Sequence, residues 1–396
     1  MRHRYIGGTV VAAVVALGWS SAVFAQEGGF QTPLNSEPVL PIPTGHVGEP
    51  GFYATAEYVM LQQTRAMGDQ TIAVRGFRDT SGLISGVVGT FVGPGSEALN
   101  TRRMGQREFQ PGFRTEIGYK FDTGTRLYAN YMQVYDAHYS AGATFAPLAY
   151  RQVELSDTYL YAPVYNYHPA FVGPENDTAA DTALGTGFNT VGIWNAAEVM
   201  DIKFTQRFQT AEVGMRVPLF ESELSTVYGM AGGRFAWFFE RFAWRTVDIA
   251  NDGEALPQYV AWYSNTLSQR MYGLFVGCGH EVYLGNMFSA SLDLTAAAFM
   301  DVIKYRAKYK LGDYSVQSKY GRESFSIVPS GTAEFNLWFY PTEGIQMRIG
   351  YMGMTFFNTR YMREPVGFNY GNIDPNYGVK WFRLVHGFNV GIGFFF

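Results

Sequence analysis

Strict alternation of apolar and polar positions is the dominant regularity of this chain. Counting back in twos from Phe396 gives Phe394, Ile392, Val390, Phe388, His386, Leu384 and Phe382. The other phase holds Phe395, Gly393, Gly391, Asn389, Gly387, Val385 and Arg383. One bulky apolar face opposite a small or polar face, with period two, predicts a strand. Residues 51–61 repeat the pattern, with Phe52, Ala54, Ala56, Tyr58 and Met60 on one side. Phe113, Thr115, Ile117, Tyr119 and Phe121 alternate with Arg114, Glu116, Gly118 and Lys120; a turn at Asp122-Thr123-Gly124 leads into a returning strand over 126–139. Further strands are expected over 200–217, 223–244, 266–284, 288–301 and 324–340, and from residue 345 onward.

The connections alternate in length. Short ones fall at 122–125, 218–222, 285–286 and 341–344, whereas residues 62–106, 140–199, 247–262, 304–322 and 358–379 read as long loops. An even number of alternating strands with short turns at one end and long loops at the other predicts an all-β, antiparallel, up-and-down transmembrane barrel. The count is about ten strands, or twelve if residues 140–199 hide a further hairpin. Strand one would enter from the periplasm, and the last strand would end there and pair with residues 51–61 to close the ring. Closure matters because an open edge would leave backbone groups unpaired in lipid.

Composition narrows the class. Aromatic residues make up 17% of the chain and charged residues only 16%, yet the mean hydropathy is −0.08. Half-apolar strands with aromatic girdles produce that mixture. At the start, Arg2, His3 and Arg4 precede an apolar stretch over 6–19, with Val23 and Ala25 before an expected cut between Ala25 and Gln26. Residues 1–25 thus read as a signal peptide, residues 26–50 as a proline-rich periplasmic linker, and residues 51–396 as the barrel. The net charge of −4 gives no reason to expect a nucleic-acid partner. Cys278, the only cysteine, cannot form an internal disulfide and reads as a small buried hydrophobe. No cofactor or metal spacing is present.

The charges expected to face inward carry both signs. Arg114, Glu116, Asp293, Glu334, Arg348 and Arg383 are the candidate lumen-lining residues, with Arg234, Glu240, Arg241, Arg245, Arg270, Glu281 and Asp301 on or near inward phases. They make either a polar eyelet that filters solutes by charge or a ladder of paired charges filling a narrow lumen; ten strands lie close to the size at which side chains fill the interior. A hydrolase site needs a nucleophile, a base and an orienting group close together. His280 and His386 fall on outward phases at opposite heights, and His138 and His168, with Asp136 or Asp157, give only a weak loop cluster. An enzyme is therefore not expected.

Several segments resemble a known family: FYATAEYVML, GFRTEIGYKFDTGTRLYANYMQVYDAHYSA, RMYGLFVGCGHEVYLG, WFYPTEGIQMRIGYMG and FRLVHGFNVGIGFFF. Together they make residues 51–396 similar to the pore-forming outer-membrane barrels typified by the Legionella major outer membrane protein. The resemblance implies a β-barrel in the outer membrane of a two-membrane envelope, pore formation and no catalytic residue. It also implies that Phe394 and Phe396 form a terminal aromatic signal for the barrel-assembly machinery. The single Cys278 departs from cysteine-richer members, so a disulfide-linked assembly is not implied. The expected function is a porin-like barrel passing small hydrophilic solutes or ions, with lipid and the assembly machinery as partners and homo-oligomerisation left open. The alternative is a closed structural or adhesive barrel whose long outer loops bind partners; a barrel hydrolase ranks below both.

Overall fold

The computed structural model describes residues 50–79, 82–87, 90–144, 155–171, 192–195, 197–222, 224–249, 254–285, 287–373 and 379–396. The expected signal peptide, all but the last residue of the linker, Asn286 and residues 250–253 of the expected 247–262 loop lie outside the described residues.

Ten strands close into an antiparallel barrel. In chain order they are β1 (Gly51–Gln63), β4 (Gln110–Lys120), β5 (Arg126–Thr144), β7 (Val199–Glu221), β8 (Ser225–Val247), β9 (Val260–Gly285), β10 (Phe288–Leu311), β11 (Gln317–Thr342), β12 (Ile345–Arg360) and β13 (Lys380–Phe395). β1 pairs with β13, Tyr53 opposite Phe395 and Leu61 opposite Gly387, and the Phe396 amide donates to the Phe52 carbonyl at 2.8 Å. Three more strands, β2 (Thr71–Asp79), β3 (Thr90–Asn100) and β6 (Leu155–Tyr161), form a separate sheet in the order β3-β2-β6. They occupy segments read from sequence as long loops, and they stay out of the ring, so the barrel has ten strands and not twelve. Their alternation is hard to read because the β2–β3 register shifts at three places.

The tight turns follow local chemistry. Asp122-Thr123-Gly124 closes β4 to β5 with Gly124 at φ 77°, a conformation that a side chain would strain, and the Phe121 amide bonds to Thr125 O at 2.8 Å. β7 runs further than expected, to Glu221 through an irregularity between Pro218 and Phe220, so that turn falls after Glu221.

The strands differ greatly in height. A transmembrane strand needs about 9–11 residues, yet β9 and β11 have 26 each and β10 has 24. The excess explains the largest misreading of the sequence: most of residues 304–322 is strand. On β10 the outward positions 288–302 are apolar or small, ending at Met300 and Val302, while Ser291, Asp293 and Thr295 point inward. Above Val302 the preference inverts without a break in register. Lys304, Arg306, Lys308 and Lys310 point outward, and the buried Ile303, Tyr305, Ala307, Tyr309 and Leu311 point inward. The apolar stretch runs ~46 Å along the strand at roughly 3.3 Å per residue, and a tilt of about 40–45° leaves ~35 Å of height. That matches a hydrocarbon core of about 30 Å. The inversion is therefore the level at which the wall leaves lipid and enters water. Within the band, Leu274, Val276 and Phe325 are 75%, 64% and 70% exposed on the outer face. Cys278 is also on this face and exposed, so lipid covers it and not the protein interior.

The upper part of the tall wall encloses an apolar core. Inner-face residues such as Ile202, Phe204, Trp244, Tyr263 and Tyr309 pack with Ile72 of β2, Leu99 of β3, Leu160 of β6 and the connecting residues Phe171, Trp194 and Tyr370. Trp194 lies 4.8 Å from Trp244 and 5.1 Å from Tyr370, and Tyr370 stacks on Tyr309 at 4.6 Å between ring centres. Burial pushes the Tyr370 hydroxyl well above its ordinary pKa, with Tyr263 and Tyr309 adding to the effect.

Candidate functional site in the lumen

Inward positions of the lipid-embedded strands build the lumen in layers. Toward the short turns, the buried Glu116 accepts from Tyr53 Oη at 3.0 Å and from Arg216 Nη1 at 3.3 Å. Asp293 accepts from Tyr228 Oη at 2.5 Å. Gly279 of β9 sits directly behind this pair, and a Cβ there would collide with both the Tyr228 ring and Asp293 Oδ1.

One layer up, two arginines and two glutamates form a closed square. Arg114 donates Nε to Glu57 at 2.7 Å and both terminal nitrogens to Glu334, at 2.8 and 2.5 Å. Arg348 bonds to Glu57 and lies 3.8 Å from Glu334. Glu57 is on β1, Arg114 on β4, Glu334 on β11 and Arg348 on β12, so the square reaches across the interior. Arg234 extends the same level, donating to Glu212 at 2.7 Å, Thr332 at 3.0 Å and Thr295 at 3.1 Å from three different strands.

An aromatic layer covers the square. Phe208, Phe238, Phe299 and Phe356 are fully buried, with Phe238 4.7 Å from Phe208 and 4.9 Å from Phe356. Above them an ion pair crosses the barrel. Arg383 of β13 donates Nη1 to Glu240 of β8 at 2.7 Å, and these strands lie on opposite sides of the ring. The Arg383 side chain is 0% exposed and its partner 2%. Its guanidinium stacks over Phe238 at 4.6 Å and Tyr361 at 4.2 Å and donates to Arg360 O at 3.1 Å. Asp301, also fully buried, accepts no hydrogen bond from the described residues.

No family model matches the chain, and no curated protein matches it. Solved structures do align with it. The outer membrane protease OmpT from Escherichia coli aligns over 87% of this chain and 97% of its own, at 8% identity and a TM-score of 0.40. The toluene transporter TodX of Pseudomonas putida aligns over 87% and 89%, at 8% identity and 0.21. A FadL homologue from Pseudomonas aeruginosa aligns over 88% and 90%, at 8% identity and 0.23.

The structure places Arg114, Glu116, Asp293, Glu334, Arg348 and Arg383 on the inner wall, each with a charged or phenolic partner. Arg241, Arg245 and Arg270, grouped with them in the sequence, point outward, because they sit on strand portions where the phase preference has changed. Sequence reasoning missed Glu57, Glu212 and Arg216. A signal was present: each lies in the phase opposite to its strand's apolar face. His280 and His386 lie on outer faces of non-adjacent strands, and His386 Nδ1 is 2.6 Å from Tyr351 Oη. His138 contacts Thr205 Oγ1, and Asp136 is engaged by Arg207 at 2.7 Å. Among the described residues no cluster of three or more His, Cys, Asp or Glu is arranged to hold a metal.

A second concavity, about 700 Å³, opens beyond the top of β1, where Arg65, Asp69, Arg102, Arg107 and Trp381 meet. Arg65 donates to Gly105 O at 2.5 Å and stacks over Tyr139 at 4.4 Å, and burial lowers its pKa.

Proposed function

We propose that this protein is an outer-membrane barrel of a two-membrane bacterial envelope that stands closed at rest, and that its work is done at the packed end outside the lipid. The observation that carries the reading is the Arg383–Glu240 pair, a fully buried bond between opposite walls lying directly on an aromatic layer. Open passage for hydrated solutes needs a polar path free of such crosspieces. The apolar core beyond the band, built from three extra strands and their connections, gives the exposed end a fixed shape suited to presenting a binding surface. Partners would engage the long outer connections, and Phe394 and Phe396 would present the aromatic terminus to the assembly machinery.

A porin-like reading, passing small hydrophilic solutes or ions, is favoured by one observation, the mixed-charge lining below the aromatic layer. Pore formation is also what the resemblance to the Legionella major outer membrane protein family implies. It requires the aromatic layer and the Arg383 crosspiece to move aside. Conductance of refolded protein in a planar bilayer separates the two. Silence from folded protein supports the closed barrel; discrete steps in the unmodified protein overturn it in favour of the pore.

A further inference from the structure

The outer face of the tall wall changes character abruptly where the apolar band ends, and it does so toward one sign of charge. Hydrogen-bond register aligns Gln209, Trp237, Arg270, Val302 and Phe325 in one row across β7–β11. Below that row, outward positions of these five strands carry no Asp, Glu, Lys or Arg. The next row contains Arg207 and Lys304, the one after it Arg241 and Arg306, and the one beyond Lys203, Lys308 and Lys319. Asp201 and Glu323 are the only acids on this face in these and the following row; they are taken up by Arg245 at 2.6 Å and Lys304 at 2.8 Å. Asp136 of β5 takes up Arg207. Among the described residues no ion pair joins Arg241, Arg270, Arg306 or Lys319 to an acid. A chain with a net charge of −4 has thus concentrated exposed cations on one face, in successive rows at and above the end of the apolar band.

The boundary row also holds an aromatic platform. Trp237 lies between Arg207 and Arg270, whose guanidinium carbons are 5.6 and 5.8 Å from its ring centre, and its Nε1 donates to Ser268 at 2.9 Å. At the short-turn end the corresponding outward positions are Leu284, Phe288, Phe339 and Phe394, with no cation among them. The polarity of the wall is therefore asymmetric across the bilayer.

We propose that this belt binds the phosphate groups of an anionic lipid in the leaflet at the long-connection end, with Arg241, Arg270 and Arg306 as the main contacts and the acyl chains lying along the apolar band beneath. Charge complementarity and direct continuity with the lipid-facing band favour this occupant. Arginine suits it because its planar fork engages phosphate through paired hydrogen bonds. Basic residues at a membrane surface attract anionic headgroups strongly enough that each contributes about fivefold in affinity. The inference rests on the membrane-barrel reading above.

The test uses full-length protein refolded in zwitterionic detergent, titrated with bisphosphorylated lipid A or with the same lipid stripped of phosphate, and followed by thermal unfolding. The parent should be stabilised by the phosphorylated lipid at much lower concentration. Arg241→Gln/Arg270→Gln/Arg306→Gln should need of order a hundredfold more of it, while its melting in detergent alone and its response to the stripped lipid stay unchanged. Equal responses of parent and triple variant to lipid A overturn the proposal, as does a parent that fails to distinguish the two lipids. Full competition by millimolar inorganic phosphate would assign the belt to free phosphate and overturn the lipid assignment. A parent that never gains barrel structure in detergent or vesicles would overturn the membrane reading as well, which separates that failure from the others.

Discussion

Replacing Arg383 with methionine tests whether the lumen is dry. The guanidinium meets Glu240 at 2.7 Å with both side chains essentially without solvent contact. Removing one partner of a buried pair leaves the other charge uncompensated, at a cost of about 3–5 kcal/mol. Lost stacking on Phe238 and Tyr361 and the lost bond to Arg360 O add on the order of 1–2 kcal/mol more. The same pair in a hydrated channel would be worth only about 0.2–1 kcal/mol. The two pictures thus differ severalfold, and urea unfolding of vesicle-reconstituted protein, followed by tryptophan fluorescence, resolves them. Arg383→Met should lose at least ~3 kcal/mol. Arg383→Met/Glu240→Leu should return to within about 1 kcal/mol of the parent, because an apolar pair of similar volume needs no charge compensation. A loss under ~1 kcal/mol in the single variant, or no recovery in the double, would refute the closed-lumen argument.

Leu292, outward in the band, should not tolerate charge: Leu292→Arg should cost roughly 2–4 kcal/mol, whereas Asp293→Asn, one position away and inward, keeps an acceptor for Tyr228 and should cost much less. Equal urea midpoints would show the register to be wrong. Trp194→Ala should cost about 3–5 kcal/mol locally, exposing the outer core to protease while the lipid-embedded strands keep their folded mobility on an unheated gel. Phe394→Ala/Phe396→Ala should reduce insertion in cells while barely changing the urea midpoint of refolded protein; normal insertion would remove the assembly-signal role.

The ring strands and the turns at 122–125, 285–286 and 341–344 were legible because period-two alternation and glycine-bearing turns are local properties, and closure followed from the need to leave no open edge in lipid; the glycine-free turn after β7 was placed too early. The upper wall was not. Lys304, Arg306, Lys308 and Lys310 alternate with Tyr305, Ala307 and Tyr309 as regularly as any membrane strand, but with the apolar set turned inward. A rule that expects greasy residues outside reads such a stretch as a loop. The same rule assigned Arg241, Arg245 and Arg270 to the lumen, where the structure does not put them. The members of the inner wall could be listed from phase alone, but not their partners. Arg383 finds Glu240 across the ring, at a sequence separation of 143 residues, and only shear and strand number decide which layers meet.

The pairing of β1 with β13 also bears on how the molecule can be made. Tyr53 meets β4 on one side but has no strand partner on the other until Phe395 arrives, and no intermediate with fewer strands can satisfy both edges. Contacts so distant along the chain are slow to form because the loop between them must be closed first. Until then the band rich in Leu, Ile and Phe faces solvent, with two raw strand edges that invite pairing with other chains. Any route to the membrane must therefore shield the apolar band and the edges of β1 and β13 until those two strands meet.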